Sequence, residues 1–234
     1  MENDPTIYLP CGQISDERAT QVYTNAFLTA FEFVYTNRVQ GDFFEFGTYR
    51  GYTARLTATL MKFFFYNDAK LYLYDSFEGL PEPGPGDEKS YEIFQWKVWR
   101  KGAMKLGPGY EKLLHKALSE IIEPERIIIT KGFYNDTLPF SLPNNTKAAI
   151  INIDCDLYSS ARKVLESVLE MELFQDGTIM LCDDYNCGRA NPNMGERKAL
   201  VDVFSAQKRF QYEDFFPYGW NGKAFIIHDI MAVD

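Results

Sequence analysis

Two apolar runs in this sequence end in acid. In AAIINIDCDLYSS, Ala148 to Ser160, core-type residues run into Asp154 and Asp156, and in GTIMLCDDY, Gly177 to Tyr185, a second run ends in the adjacent Asp183 and Asp184. If the two runs are neighbouring strands their carboxyls converge, and converging carboxylates repel unless a cation joins them. Oxygen donors without imidazole or thiolate suit a hard ion, and Mg²⁺ keeps waters and substrate oxygens in the rest of its octahedron. Asp154, Asp183 and Asp184 are therefore the candidate metal ligands. Asp156 is equally placed to cap a helix starting near Ser159, and Asp184 to hydrogen-bond its own loop.

A second constellation lies upstream. In EFGTYRGYT, Glu45 closes a short aromatic strand, Gly47 permits a tight turn and Gly51 lets the next helix approach closely. Asp75 ends the following strand-like run, where an acid accepts hydrogen bonds from ribose hydroxyls. Turn plus acid points to a nucleoside cofactor. A dinucleotide turn needs a further glycine for close approach to pyrophosphate, whereas Tyr49 and Arg50 fill this one. S-adenosylmethionine carries no pyrophosphate and tolerates that bulk.

The elements that must position these residues alternate along the chain. A helix runs from Ser15 to about Arg38, with Val22, Ala26, Phe27, Ala30, Phe31 and Val34 near a helical period. Strand DFFEFG is followed by a helix to about Asn67, strand Lys70–Asp75 and the Pro/Gly loop GLPEPGPGDEK. One or two helices interrupted at Gly107–Gly109 lead to strand Arg126–Gly132. Then come strand Ala148–Asp154, helix Ser159–Leu173, strand Thr178–Asp183, helix Gly195–Lys208 and two strand-like runs, FQYEDFF and KAFIIHD. Such alternation implies an α/β fold with a mainly parallel sheet covered by helices on both faces. The unbroken apolar character of AAIINI and TIMLC marks central strands, so both acid pairs sit at carboxyl ends, where open α/β sheets bind ligands.

Composition narrows the partners. The 234 residues suit one α/β domain, with residues 1–40 as an N-terminal extension and helix and 81–120 as a helical insertion or lid. A net charge of −9 without a long basic run argues against nucleic acid. No apolar run approaches the roughly 20 residues of a membrane span. Cys11, Cys155, Cys182 and Cys187 lack CxxC spacing, which suits reduced thiols in a cytoplasmic protein. His115 and His228 stand far apart, against a zinc site. With 16% aromatic residues, Tyr185, Tyr218, Trp220, Trp96 and Trp99 are candidates to stack on an acceptor, although such rings are more often core.

Together the segments GDFFEFGTYRG, YDSFEGLPEP, KGFYNDTLP, IDCDLYSS and DDY, in this order, resemble the macrocin O-methyltransferase family. The resemblance covers about Gly41 to His228. It implies a Rossmann-like class I methyltransferase fold, seven-stranded with an antiparallel last strand, and S-adenosylmethionine-dependent methylation of a sugar or polyol hydroxyl. It further implies that Glu45 and Gly47 line the methionine end, that Asp75 and Ser76 hold the ribose, that Gly132, Phe133 and Asp136 flank adenine, and that Thr48, Tyr49, Gly51, Phe77 and Asp154 also belong to the cofactor site. Mg²⁺ at the matching positions would bind two neighbouring acceptor hydroxyls. No lysine follows the first metal aspartate closely, as one does in the related catechol enzymes, so Asp154 or Asp156 is the candidate general base. A homo-oligomer, a dimer, is expected, with Tyr8, Leu9 and the helix from Ser15 either covering the site or forming the contact. Two other readings compete. One is a nucleotide-dependent oxidoreductase, against which the bulk of Tyr49 counts; the other is a non-catalytic relative that binds a glycan or a protein.

Overall fold

The computed structural model describes residues 16–88 and 99–231. Tyr8, Leu9, Cys11, Ser15 and Trp96 lie outside them, as does most of the segment expected to form a helix before Gly107. In chain order the elements are α1 (Asp16–Thr36), β1 (Asp42–Phe46), α2 (Tyr52–Phe63), β2 (Leu71–Asp75), α3 (Tyr110–Leu118), β3 (Ile127–Lys131), the short α4 (Tyr134–Thr137), β4 (Ala148–Ile153), α5 (Tyr158–Glu170), β5 (Ile179–Cys182), α6 (Gly195–Ser205), β6 (Phe210–Tyr218) and β7 (Gly222–Asp229). The sheet order is β3-β2-β1-β4-β5-β7-β6. Strands β1 to β5 are parallel, and β7 pairs antiparallel with both β5 and β6. This is the expected fold class. The residues from Trp99 to Leu106 form turns, so the described helical part of the 81–120 segment is α3 alone.

Sequence character decides rank in the sheet. All six residues of β4 and all four of β5 are buried, whereas most residues of the edge strands β3 and β6 are partly buried or exposed. Successive side chains project to opposite faces. Phe43, Leu71, Leu73 and Ile150 meet Phe27 and Phe31 of α1, Ala58 and Met61 of α2, and Leu114 of α3. Phe44, Tyr72, Ile151 and Met180 meet Val164 of α5 and Leu200 of α6. Much of the aromatic content serves this core. Phe44 stacks on Tyr72 across β1 and β2 with centroids 4.7 Å apart, and Phe46 on Tyr74 at 5.0 Å.

The β1 to α2 turn is where backbone conformation matters most. Gly47 has φ +94, and a Cβ there would lie 1.7 Å from the carbonyl oxygen of Asp154. Only glycine lets this turn touch the end of β4. Gly51 has φ +73 and caps α2 in the left-handed region, pressed against the Leu114 side chain.

Candidate active site

The parallel register pairs Ile153 with Cys182, so Asp154 and Asp183 leave the sheet side by side. Backbone bonds carry the ladder one step past the strands: Asp183 N–H donates to Ile153 O at 2.9 Å and Asp154 N–H to Phe46 O at 2.8 Å. One carboxylate oxygen from each of Asp154, Asp183 and Asp184 lies within 4.8 Å of the other two. Asp183 Oδ1 is buried without a hydrogen-bond partner, and among the described residues no Lys or Arg forms an ion pair with any of the three. Burial, then the neighbouring Asp183 and Asp184, raises the Asp154 carboxyl well above the ordinary range. Burial and Asp184 push Asp183 up to about 7, and burial raises Asp184. Three crowded carboxylates, one of which carries an orphaned buried oxygen, fit the ligand set of a hard divalent cation.

Four residues not singled out in the sequence shape the cluster or the segments beside it. Tyr23 of α1 donates its phenol O–H to Asp183 Oδ2 at 3.0 Å, and Asn221 Nδ2 donates to Asp183 O at 2.8 Å. The helix expected either to cover the site or to form a dimer contact thus reaches the cluster directly. Glu196, in the first turn of α6, accepts from Cys155 N–H at 3.1 Å and from Asp184 N–H at 2.9 Å. In sequence it looks like an ordinary acid complementing a helix dipole. Asp87 is fully buried and accepts from Ser159 N–H at 3.1 Å, Ser159 Oγ at 2.6 Å and Gly84 N–H at 2.7 Å. It is Asp87, from the Pro/Gly loop, that caps α5. Asp156 does not: Leu157 holds the N-cap position without a side-chain bond, and Asp156 sits just before it with φ +60. That corrects the capping alternative. The Asp156 carboxyl faces Asp184 and Trp99 instead, and burial, then Asp184 and Asp183, raises it well above the ordinary range.

A cavity of about 300 Å³ adjoins the cluster, lined among others by Gly47, Tyr49, Asp75, Ser76, Gly132, Phe133, Asp154 and Asp156. Asp154 belongs to both the cavity and the carboxylate trio. Asp75 organises the cavity floor: Oδ2 accepts from Thr48 N–H at 2.8 Å and Tyr49 N–H at 2.7 Å, and Oδ1 from Phe77 N–H at 2.6 Å. Of the roughly four acceptor positions of a carboxylate, about one is left for a ligand hydroxyl. Ser76 Oγ closes the adjoining turn on Gly79 O at 2.9 Å.

Other expected site residues do not line the cavity. Phe77 is buried, with its ring near Tyr110 at 6.3 Å, and contributes its backbone amide. Thr48 is buried, Gly51 is the α2 cap, and Asp136 is exposed beside the lining Asn135. Of the candidate stacking rings, Tyr185, Tyr218 and Trp99 are buried and Trp220 is 55% exposed; none lines the cavity.

Glu45 is 1% exposed and not in the cavity wall, and neither carboxyl oxygen has a hydrogen-bond partner of good geometry. Burial raises its pKa from the ordinary 4.5 to about 8, opposed by the nearby Thr53, Asn152 and Thr48. The folded state holds a proton that the unfolded chain releases, so this group's contribution to stability is complete below pH 4.5 and is lost as pH rises towards about 8. Glu45→Gln, which cannot ionise, is expected to be increasingly more stable than the parent across that window. The gap should grow by about 1.4 kcal/mol per pH unit, read from urea midpoints. A gap that does not change with pH would show that Glu45 is ionised in the folded protein.

Known proteins resemble this chain in sequence and in fold. The sequence profile of the macrocin-O-methyltransferase (TylF) family matches residues 21–209. The chain is 26% identical over 173 residues to demethyldecarbamoylnovobiocin O-methyltransferase of Streptomyces niveus, covering 74% of this chain and 63% of that protein. It is 26% identical over 154 residues to 8-demethyl-8-(2,3-dimethoxy-alpha-L-rhamnosyl)-tetracenomycin-C 4'-O-methyltransferase of Streptomyces olivaceus, covering 66% and 56%. It therefore spans less than two thirds of the length of either relative. The solved structure of the calicheamicin methyltransferase CalS11 superposes with a TM-score of 0.71 at 19% identity, covering 91% of this chain and 80% of that one, a likeness of fold. With the profile running from α1 through α6 and across every acid of the site, this chain belongs to the macrocin-O-methyltransferase (TylF) family.

Proposed function

We propose that the protein is an S-adenosylmethionine-dependent, Mg²⁺-assisted O-methyltransferase acting on a hydroxyl of a small polyhydroxylated acceptor, a sugar or a glycosylated natural product. The observation that carries this reading is the double membership of Asp154, which faces a nucleoside-sized cavity on one side and a carboxylate trio on the other. Family membership and the sugar-modifying relative from Streptomyces olivaceus support the acceptor class.

The cofactor would lie along the Gly47 turn, with its ribose towards Asp75 and its base beside Gly132 and Phe133. When bound, it supplies an already activated methyl group. Asp154, Asp183 and Asp184 would hold Mg²⁺, which supplies Lewis acidity that lowers the pKa of a nearby hydroxyl. With Asp154 engaged as a ligand, Asp156 is left as the proton acceptor, because it lines the cavity and lies outside the trio. The remaining task of the chain is alignment, since holding oxygen, methyl carbon and sulfur in line yields most of the rate gain.

Calorimetry with S-adenosylhomocysteine is expected to show one site per chain with micromolar affinity. No heat at millimolar ligand would remove the reading. Mass spectrometry of methylated products from a pool of sugars and glycosides would then identify the acceptor. We also infer a homodimer, supported by the exposed aromatic rings of Tyr35, Phe63 and Phe65, with light scattering expected at twice the chain mass. A reducing, cytoplasmic setting is supported by the buried free thiols of Cys155, Cys182 and Cys187.

A further inference from the structure

The backbone ladder joining β4 and β5 stops at the bond from Asp183 N–H to Ile153 O. Beyond it the two metal-binding segments are separate loops, and their spacing depends on whatever spans them. One side chain does so symmetrically. Glu196 is 1% exposed, and each of its oxygens accepts one backbone amide, Oε1 from Cys155 and Oε2 from Asp184. Cys155 directly follows Asp154 on the β4 side, and Asp184 is itself in the trio on the β5 side.

The residue type is informative because it is unfavourable for any lesser purpose. Anchoring the start of α6 needs only a hydroxyl or a side-chain amide. A carboxylate here adds a further acid, almost wholly buried, beside Asp154, Asp156, Asp183 and Asp184, and among the described residues no Lys or Arg pairs with it. What a carboxylate alone offers is two equivalent acceptors at fixed separation on one rigid group, with no donor to repel either amide.

We propose that Glu196 is a positioning residue which sets the spacing of the Asp154 and Asp184 loops and thereby the affinity of the site for a divalent cation. This rests on the Mg²⁺ reading above. Outer partners that orient metal ligands typically change metal affinity 10- to 100-fold when removed.

The test measures Mn²⁺ binding by electron paramagnetic resonance on the parent, Glu196→Gln and Glu196→Asp, with circular dichroism confirming the fold and calorimetry giving the affinity for S-adenosylhomocysteine. Glutamine keeps one acceptor but turns an NH₂ group towards the other amide. Aspartate keeps the charge but is one methylene too short to hold both. Weaker Mn²⁺ binding in both variants, about 10-fold or more, with cofactor affinity within twofold of the parent, is the expected result. Weak binding in the glutamine variant and parental binding in the aspartate variant would show that charge alone matters and would overturn the positioning role. Parental binding in both, whatever their thermal stability, would make Glu196 a purely structural residue and leave the Mg²⁺ reading standing. No binding by the parent would remove the Mg²⁺ reading and this proposal with it. Glu196→Asp decides alone if the glutamine variant does not fold.

Discussion

Replacing Asp183 and Asp184 together by asparagine is expected to lower methyl transfer about 1,000-fold, the loss of roughly 4 kcal/mol of transition-state stabilisation. Cofactor affinity should stay within a few-fold, because neither residue lines the cavity. The same variant should be more stable than the parent in excess chelator. Burial already raises all three carboxyls of the trio, and asparagine removes two mutually repelling charges without a change of shape. Asparagine can still accept the bonds that Asp183 takes from Tyr23 and Asn221. Turnover against Mg²⁺ concentration and melting curves in chelator check both halves. Full activity of the parent in excess chelator would reject the metal's role, and an inactive variant that is also less stable would mean that the acids are structural.

Gly47→Ala is expected to damage the cofactor and metal sites at once. The added methyl would meet the Asp154 carbonyl, which is backbone and cannot rotate away, and φ at this position is +94. The combined strain is expected to destabilise the fold by about 3 kcal/mol or more. Gly102→Ala is the natural control. Its φ is +75 but nothing lies within 4 Å of the new methyl, so only the left-handed term of about 1 kcal/mol applies. Denaturant midpoints of the two variants should differ clearly. Whatever Gly47→Ala protein folds should bind S-adenosylhomocysteine and Mn²⁺ more weakly, because the displaced atom belongs to the residue shared by both sites. Equal midpoints would show that the turn shifts without resistance.

Much of this site is legible from residues in order, for identifiable reasons. A strand buried on both faces needs unbroken apolar residues, so β4 and β5 announce themselves, and an acid directly after such a run has to lie at the sheet's carboxyl edge. That logic alone brings Asp154, Asp183 and Asp184 together, because parallel neighbours in register end level with one another. The glycine turn is legible in the same way, since its chemistry is local.

What depends on docking between distant elements is not legible. Asp75 is expected to serve a ribose, yet it holds three amides of two turns, an arrangement set by how β1 and β2 align. Asp156 reads equally as a cap or a base until Asp87 arrives from a loop far upstream and takes the capping role. Tyr23 is one more ring on a helix until α1 packs on the sheet and turns it towards Asp183. Glu196 reads as a helix-dipole acid until α6 settles between two loops. By itself, then, the sequence determined the α/β order, the central strands and the acids at their ends, all set by local pattern and by the sheet's periodicity, while the order of its motifs carried the resemblance to the family. Only the tertiary structure decided which partner each carboxylate faces, because those contacts form when helices and loops far apart in the chain pack against the sheet edge.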